Sequence, residues 1–554
     1  MTLKRLFNTV KYLKPVQVYG RVLFALRRRL FGPAGADYES RAARELKRLY
    51  HLPAGKTFRL SFLQQSFEFT GQEMRWNSSD WQPEMRPEKL WLYHLNYFKW
   101  LFDQSSDLSK ELKLYLILDW IEKNPSAHQE SWEPFPLGKR LKNWIKWLEN
   151  FKELAVPIRD CIVSSIYSQT LRLHYDLEYH NQANHLFENL TSLLVAALFL
   201  TKNGSPTPFK ISELAIFATR ELTSQINEQF LGDGGHYERS PMYHCEMLEA
   251  LNAIRENCLN HRRMAQEKEL PGLADELEKL HEICQERISL AQDWLMNLTH
   301  PDGMIAQFGD SVIMPGIKAS LPPIEKPISY LMPDSGFFIR RWHDNFFAMS
   351  CKEPFPAYQP GHSHCDIMSY ELSVAGFRCL IDTGCGSYQN QSVRQHCRRT
   401  SSHNVPLIEL CEQSEIWGSF RIGARARVIE CRFEPAGSLL VVEILDQFNQ
   451  RFHREVVFAD TSIRIRDRMY DRRLTGTFCS MLHLHPDCQI VPAEDSGKIS
   501  FSCHDVEFTI QTTARMRSEP HLCYPDFGLE ARSARLILSN HQTEAIDYVI
   551  SWNP

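Results

Sequence analysis

The chain changes its hydrophobic period once, near residue 335, and this change constrains the fold more than any other feature. From about residue 85 to 300, apolar residues recur at intervals of three and four, as in KRLKNWIKWLENFKEL, which predicts amphipathic helices. From about residue 335, short segments such as SLLVVEILDQF are β-rich and often alternate. Many helices with short connections predict an all-α domain. Consecutive strands without helices predict antiparallel sheets, most simply a β-sandwich, so the fold class is α+β multidomain.

The same change sets the expected domain boundaries. A chain of 554 residues is long enough for two to four domains. Residues 1–84 are expected to form a helical lead-in with a small β element at 56–71. Residues 85–313 are the helical domain, the proline-rich stretch at 314–334 is the linker, and residues 335–554 form the sheet domain.

Charge and cysteine usage indicate the compartment and exclude some partners. The net charge of −4 gives no general attraction to nucleic acid. The basic N-terminus lacks the apolar core of a signal peptide, and we find no run of about 20 apolar residues. Fifteen cysteines without CxxC pairs are typical of free thiols, so we expect a cytoplasmic protein. A basic helix around Val18–Phe31 either packs on its own domain or contacts anionic lipid at the membrane face.

The stretch GHSHCDIMSYEL raises the question of a metal site. Strand alternation would place His362, His364 and Asp366 on one face, and Asp382 and His403 begin or end neighbouring strands. Two imidazoles and a carboxylate, from His364, Asp382 and His403, fit a divalent ion such as zinc. Asp366 is expected to orient an imidazole. Spacing alone leaves a metal site, a catalytic pair and ordinary strand residues open, because most H-x-H pairs bind nothing.

Two motifs in the helical half carry further candidates. Asn184 and His185, in NQANHLFEN, are costly to bury without partners; they either cap and fill the core or form a polar site. In GGHYERSPMYH, Ser240 is a good N-cap and Pro241 a good first helical residue. Tyr243 then lies in the first helical turn, where the helix dipole would favour a phenolate. The alternative is a buried aromatic anchor.

Charged neighbours of these motifs are candidates for substrate contacts. Glu238 and Arg239 precede the helix that is expected to carry Tyr243, and they either contact substrate or orient neighbouring side chains. Arg398 and Arg399, in HCRRTSSHN, have the fork geometry that pairs with carboxylate or sulfate groups, or they form surface ion pairs.

Taken together, these runs resemble the heparinase II/III-like polysaccharide lyases. The segments GHSHCDIMSYELSVAGFRCLIDTGCGSY, RRTSSHN and QSEIWGSFRIGARA are similar to the family's C-terminal domain, and LWLYHLNYFKWL, NQANHLFENLTSLL and DGGHYERSPMYH to its helical segments. The resemblance covers about residues 88–430, in the expected order. It implies an N-terminal incomplete (α/α) toroid followed by a C-terminal antiparallel β-sandwich. It also implies zinc or a similar ion, in a structural role, on His364, Asp382 and His403.

The resemblance further implies β-elimination on a uronic-acid-containing polysaccharide or glycan intermediate. Asn184 and His185 would neutralise the uronate carboxylate, and Tyr243 would act as general base, general acid or both. His362 could serve as base on the other sugar face. All would act in one cleft on an acidic polysaccharide or oligosaccharide.

Two alternatives stay open at this stage. A uronate C5 epimerase needs the same residues, and a non-catalytic, metal-stabilised glycan-binding protein of polysaccharide biosynthesis needs only some of them. The chain also departs from the family: HNVPLIEL lacks the usual polar residues, and Cys365 lies between His364 and Asp366. These departures leave the uronic polymer undefined.

Overall fold

The computed structural model contains helices mainly before residue 300 and strands mainly after residue 327. It describes residues 3–30, 36–49, 66–69, 72–75, 81, 88–102, 108–124, 130–151, 153–203, 211–317, 326–491, 497–540 and 544–553. The helices before residue 300 are Leu3–Val10, Pro15–Leu30, Ala36–Leu49, Lys89–Tyr97, Lys110–Lys123, Pro134–Asn150, Val156–Tyr175, Ala183–Asn203, Ile211–Gln229, Pro241–Glu267 and Pro271–Asn297. A further helix, Gln391–Arg398, lies among the strands.

The strands are numbered in chain order. They are β1 (Ser66–Phe69), β2 (Gln72–Arg75), β3 (Ile328–Met332), β4 (Phe337–Trp342), β5 (Asn345–Ser350), β6 (Tyr370–Val374), β7 (Phe377–Leu380), β8 (Pro406–Ile408), β9 (Ile416–Trp417), β10 (Arg421–Ile422), β11 (Arg427–Glu434), β12 (Leu439–Leu445), β13 (Arg451–Phe458), β14 (Ser462–Tyr470), β15 (Phe478–His483), β16 (Cys488–Val491), β17 (Lys498–Cys503), β18 (Val506–Thr512), β19 (Arg515–Asp526), β20 (Leu529–Asn540) and β21 (Ala545–Trp552).

The chain divides into two compact units. The helical unit contains Lys14–Glu228 and Glu249–Glu286, and the sheet unit contains Met1–Leu13, Gln229–Leu248 and Arg287–Pro554. The α+β class predicted from the period change is therefore confirmed.

The helical unit is built on apolar helical faces. Helix Ala183–Asn203 is long and apolar enough to cross a bilayer by length and composition, contrary to our expectation that no segment would be. However, 94% of its most apolar window is buried inside the protein, which is typical of a core helix. At the start of another helix, Ser109 accepts a hydrogen bond from the Leu112 amide at 3.2 Å, as an N-cap does.

The sheet unit contains three larger antiparallel sheets. Strands β3 to β7 form a five-stranded meander in chain order. The eight-stranded sheet has the order β11-β12-β13-β14-β21-β18-β17-β16, and the four-stranded sheet has the order β19-β20-β15-β8. Strand β13 alternates buried and less buried residues, as expected for a strand with one face on the core, whereas β4 and β5 are buried on both faces. One apolar core joins side chains from all three sheets.

Three local predictions need correction or fall partly outside the described residues. The segment that carries His362 and His364 is a loop between β5 and β6, because strand pairing resumes only at Tyr370. Part of the predicted linker forms β3, which pairs with β4. Residues 318–325 of that linker, and most of the predicted β element at 56–71 apart from β1, lie outside the described residues.

Candidate functional site

His362 is held between a carboxylate and a phenol in the sheet unit. Its Nδ1 lies in hydrogen-bond contact with the Glu238 carboxylate. Its ring stacks on the Tyr243 ring, with centroids 3.8 Å apart and planes 7° from parallel. Because a carboxylate accepts the Nδ1 proton, the neutral ring carries its lone pair on Nε2. The arrangement therefore orients an imidazole that can accept a proton.

Helix capping positions Tyr243. Ser240 Oγ accepts the Tyr243 amide at 3.3 Å and donates to the Asp310 carbonyl at 2.6 Å, so the predicted N-cap is confirmed. The Tyr243 hydroxyl lies 2.8 Å from the Tyr388 hydroxyl. Burial, with Asp310 and Glu246, raises the pKa of Tyr243 well above its ordinary value. The expected phenolate is therefore wrong for this structure, because burial and nearby carboxylates outweigh the helix dipole.

A buried ion pair supports the loop that carries both histidines. Arg394 forms a two-pronged pair with the Asp310 carboxylate, one contact measuring 2.9 Å, and donates to the Gly361 carbonyl at 3.0 Å. Its guanidinium also lies 5.1 Å from the Tyr388 ring centroid. Although burial opposes ionisation, Arg394 and His364 hold the pKa of Asp310 below its ordinary value. The pair thus fixes the backbone next to His362.

His364, Asp382 and His403 come together in the interior. One donor atom from each lies within 4.8 Å of the others, and all three side chains are buried. His403 Nδ1 is 2.7 Å from Asp382 Oδ2, and His364 Nε2 is 2.8 Å from Asp310 Oδ1. Within the described part of the chain, His364 Nδ1 and His403 Nε2 are buried without a hydrogen-bond partner. Unpaired imidazole nitrogens beside a carboxylate fit a metal ion.

Asp366 does not have the orienting role that was expected of it. Its carboxylate accepts the Gly309 amide at 3.3 Å, whereas Asp310 contacts His364 and Glu238 contacts His362. Burial raises the pKa of Asp366 to about 6. The reason is local geometry: the segment is a loop, so alternate residues do not share one face.

Glu238, Arg239, His362 and Asp366 line one small polar pocket in the sheet unit. Arg239 donates to the Glu353 carbonyl at 2.6 Å, and its guanidinium lies 4.4 Å from the Phe355 ring centroid. Burial lowers the pKa of Arg239 to about 10. Of the four candidates for substrate contacts, Glu238 and Arg239 therefore share a pocket with His362.

Arg398 and Arg399 have different surroundings. Arg398 is fully buried and donates to the carbonyls of Ser363, Gly418 and Arg421 at 3.1 to 3.4 Å, so its contacts join loops. Arg399 follows the end of helix Gln391–Arg398 and is exposed. Arg398 thus lies away from solvent, contrary to its expected contact with substrate, because its guanidinium satisfies backbone carbonyls.

Asn184 and His185 lie in the helical unit, in the first turn of helix Ala183–Asn203. Asn184 is buried, and His185 is partly exposed. His185 Nδ1 is 3.2 Å from both carboxylate oxygens of Glu178. Burial opposes ionisation of Glu178, but His185 and other polar neighbours hold its pKa below the ordinary value. Glu178 therefore orients the His185 ring.

Four side chains at these sites were missed by sequence reasoning, namely Glu178, Asp310, Tyr388 and Arg394. Glu238 was expected to contact substrate or to orient a neighbour, and its contact with His362 fits the second of these roles. A sequence signal for Tyr388 was present, since this residue ends the run CLIDTGCGSY that also contains Asp382. The others precede or follow the motifs without a periodic signal.

Comparisons with known proteins place this arrangement in a family. The family described as Heparinase II/III N-terminus matches residues 48–320, and Heparinase II/III-like, C-terminal, matches residues 325–552. The chain belongs to the heparinase II/III-like family. A Heparin-sulfate lyase of Pedobacter heparinus is 23% identical over 335 residues, which are 53% of this chain and 47% of that protein. The chain thus spans about half the length of this curated relative.

Solved structures share the fold. Heparinase III matches with a TM-score of 0.68 and 16% identity, over 92% of this chain and 85% of that one. A mutant of the heparan sulfate lyase HepC from Pedobacter heparinus matches with a TM-score of 0.58 and 17% identity, over 90% and 83%. At these identities the likeness concerns the fold. The predicted family is confirmed.

Proposed function

We propose that this heparinase II/III-like protein is a polysaccharide lyase that cleaves a uronic-acid-containing polysaccharide or glycan intermediate by β-elimination. The observation that carries the proposal is the oriented imidazole of His362, with Glu238 on Nδ1 and a neutral Tyr243 stacked against it. A base and an acid in one place are what proton removal and leaving-group protonation need. The family relationship supports the same reaction class.

In the proposed reaction, His362 accepts one proton and Tyr243 donates one. His362 Nε2 takes the C5 proton of the uronate, and the neutralised carboxylate group holds the C–H electrons as an aci-carboxylate. These electrons form the C4–C5 double bond as the C4–O bond breaks, and the leaving oxygen receives the proton of the Tyr243 hydroxyl. Tyr243 suits the acid role because burial keeps it protonated, and Glu238 stabilises the imidazolium that forms.

Asn184 and His185 are proposed to neutralise the uronate carboxylate, which makes the C5 proton more acidic. The Glu178 contact supports this role, since it orients the His185 ring. Arg239 is proposed as a further substrate contact, and Arg398 as a residue that positions loops.

The finer architecture is also a proposal. We propose that the helices between residues 85 and 313 form an incomplete (α/α) toroid and that residues 335–554 form an antiparallel β-sandwich, with residues 1–84 as lead-in. The helices of the first part and the three larger sheets of the second support it.

We propose that His364, Asp382 and His403 hold a divalent ion with a structural role. The donor atoms are those that zinc prefers, so we propose zinc as the ion. His364 lies in the loop before β6, Asp382 follows β7 and His403 precedes β8, so the ion would join three chain segments. Imidazole and carboxylate donors suit zinc, and Asp310 would orient His364.

Removing the ion is expected to destabilise the protein. A ligand present at 1,000 times its Kd contributes about 4 kcal/mol to folding, so strong chelation should lower Tm by about 3 to 6 °C in a protein of this size. Calorimetry with metal analysis by mass spectrometry measures both quantities. Asp382→Asn should lose the metal and the response to chelator, whereas the control His485→Ala should keep both. If the wild-type protein contains no metal and its Tm does not change with chelator, the proposed metal site is wrong.

A screen of defined uronate oligosaccharides tests the lyase function. Ultraviolet absorbance of the unsaturated product and its mass identify β-elimination and the polymer. Deuterium uptake from solvent at C5 without that absorbance would indicate the alternative, a C5 epimerase. Tight glycan binding without either signal would indicate a non-catalytic binding protein, and both outcomes contradict the lyase proposal.

We also propose that the protein works in the cytoplasm at an anionic membrane surface. Helix Pro15–Leu30 exposes Val18, Val22 and Leu26, each 47 to 58% exposed, at i, i+4 and i+8 on one face. Phe24 instead packs on His180 of the helical unit. Residues 1–36 contain eight lysines and arginines and no acidic residue. An exposed apolar stripe among positive charges fits an anionic bilayer.

Sedimentation with lipid vesicles tests this surface. The full chain is expected to bind vesicles that contain phosphatidylglycerol and to bind pure phosphatidylcholine weakly. Val18→Ser, Val22→Ser and Leu26→Ser together should weaken binding by about 100-fold, because each removes apolar burial in the interface. Val156→Ser, at another exposed valine, is the control. Equal binding of the triple variant and the control contradicts the proposal.

A further inference from the structure

A second pocket in the sheet unit is lined mainly by basic side chains. It has a volume of about 480 Å³, within the range of roughly 300–1,000 Å³ that is typical of small-ligand sites. Its lining residues are His396, Arg399, Ser401, Pro520, His521, Leu522, Arg532 and Arg535. We propose that this pocket binds a tetrahedral oxyanion, namely the sulfate or phosphate ester group of a sugar.

The arginines supply the charge. Among the described residues, Arg399 and Arg532 have no carboxylate within 4 Å. Arg535 is paired with Glu519 and also donates to the Ser401 carbonyl at 3.0 Å. Three guanidiniums against one carboxylate leave a surplus of two positive charges, which is enough for a singly charged sulfate ester or for a phosphate ester, whose charge is about −2. Guanidinium forks are the donors that best fit such oxygens.

The histidines shape the pocket without adding charge. Burial, with His396 and Arg535, lowers the pKa of His521 to about 3, and its Nε2 lies 3.0 Å from Thr383 Oγ1. His396 stacks near His521, with ring centroids 5.1 Å apart, and its Nε2 lies 3.2 Å from the Leu522 carbonyl. The neutral rings form a fixed wall, so the charge comes from guanidiniums alone.

The backbone holds the arginines on different segments. Arg399 follows helix Gln391–Arg398, and Arg532 and Arg535 lie on β20, which pairs with β19. Arg532 is directly opposite Leu522 in the register, and Arg535 is opposite Glu519. Donors that approach from a helix end and from a strand surround a tetrahedral group better than a flat carboxylate. The inference concerns binding alone and does not rest on the proposed lyase reaction.

Isothermal titration at constant ionic strength tests the pocket. The probes are a monosaccharide 6-sulfate, the matching 6-phosphate and, as a flat anion, acetate. The full chain is expected to bind one or both esters and to bind acetate at least tenfold more weakly. The ester with the lower Kd identifies whether sulfated or phosphorylated sugars are the source.

Two double variants separate the pocket from general charge. Arg399→Gln with Arg532→Gln should weaken ester binding about 100-fold, since each charge-assisted contact is worth about tenfold. Arg427→Gln with Arg432→Gln removes the same charge from β11 and should leave Kd unchanged. If the double variant fails to fold, the single variant Arg532→Gln, at an exposed side chain, replaces it in the binding measurement. Equal weakening in both double variants, or acetate binding as tightly as the esters, overturns the inference.

Discussion

Replacing His362 with glutamine is expected to lower kcat for β-elimination by about 10²- to 10⁴-fold, the range for loss of a general base. Glutamine keeps a polar side chain next to Glu238 but cannot take the C5 proton. The measurement is the rate of unsaturated uronate formation, followed by ultraviolet absorbance, with KM determined separately. KM should change little, because the proposed carboxylate contacts are Asn184 and His185.

Two further variants are needed to interpret the kcat of His362→Gln. His343→Gln, at an exposed histidine in the turn between β4 and β5, is the matched control and should keep full activity. Glu238→Gln should cause a smaller loss than His362→Gln, because it disturbs the orientation of the imidazole and leaves the base in place. If His362→Gln folds normally and retains wild-type kcat, the base assignment is wrong.

Tyr243→Phe is expected to reduce kcat by a similar factor of about 10²- to 10⁴-fold. The substitution removes only the hydroxyl, so the ring can still stack on His362. Because burial raises the pKa of Tyr243 well above its ordinary value, the phenol is protonated at neutral pH and can donate to the leaving oxygen. Steady-state kinetics on a long oligosaccharide measures the loss.

Tyr388→Phe is the matched control for that experiment. It removes the hydroxyl 2.8 Å from the Tyr243 hydroxyl but leaves the acid itself in place, so a loss of about tenfold or less is expected. Equal losses in Tyr243→Phe and Tyr388→Phe would indicate that the pair has a packing role and would contradict the acid assignment.

The sequence predicted the structural features that depend on the local pattern of residues. The period change separated helices from strands, the N-cap at Ser240 followed from residue type, and Asp382 and His403 lie next to β7 and β8 as expected. These features depend on residues close together in the chain. The family resemblance then identified most of the candidate residues.

The features of the site that the sequence did not predict depend on contacts between segments that are distant in the chain. Glu238 meets His362 across 124 residues, and Tyr388 meets Tyr243 across 145. Alternation failed for His362, His364 and Asp366 because they lie in a loop, where side-chain direction has no fixed period. The state of Tyr243 was also misjudged, since burial depends on the whole packing and the helix dipole is only one part of its environment.

The most direct test of the account compares Tyr243→Phe on two uronate substrates, a natural glycoside and one whose leaving group at C4 is a stable anion. A good leaving group does not need a proton, so the defect of Tyr243→Phe should shrink to less than about tenfold on the activated substrate. The defect of His362→Gln should stay the same on both substrates. An undiminished Tyr243→Phe defect on the activated substrate would contradict the division of roles between His362 and Tyr243.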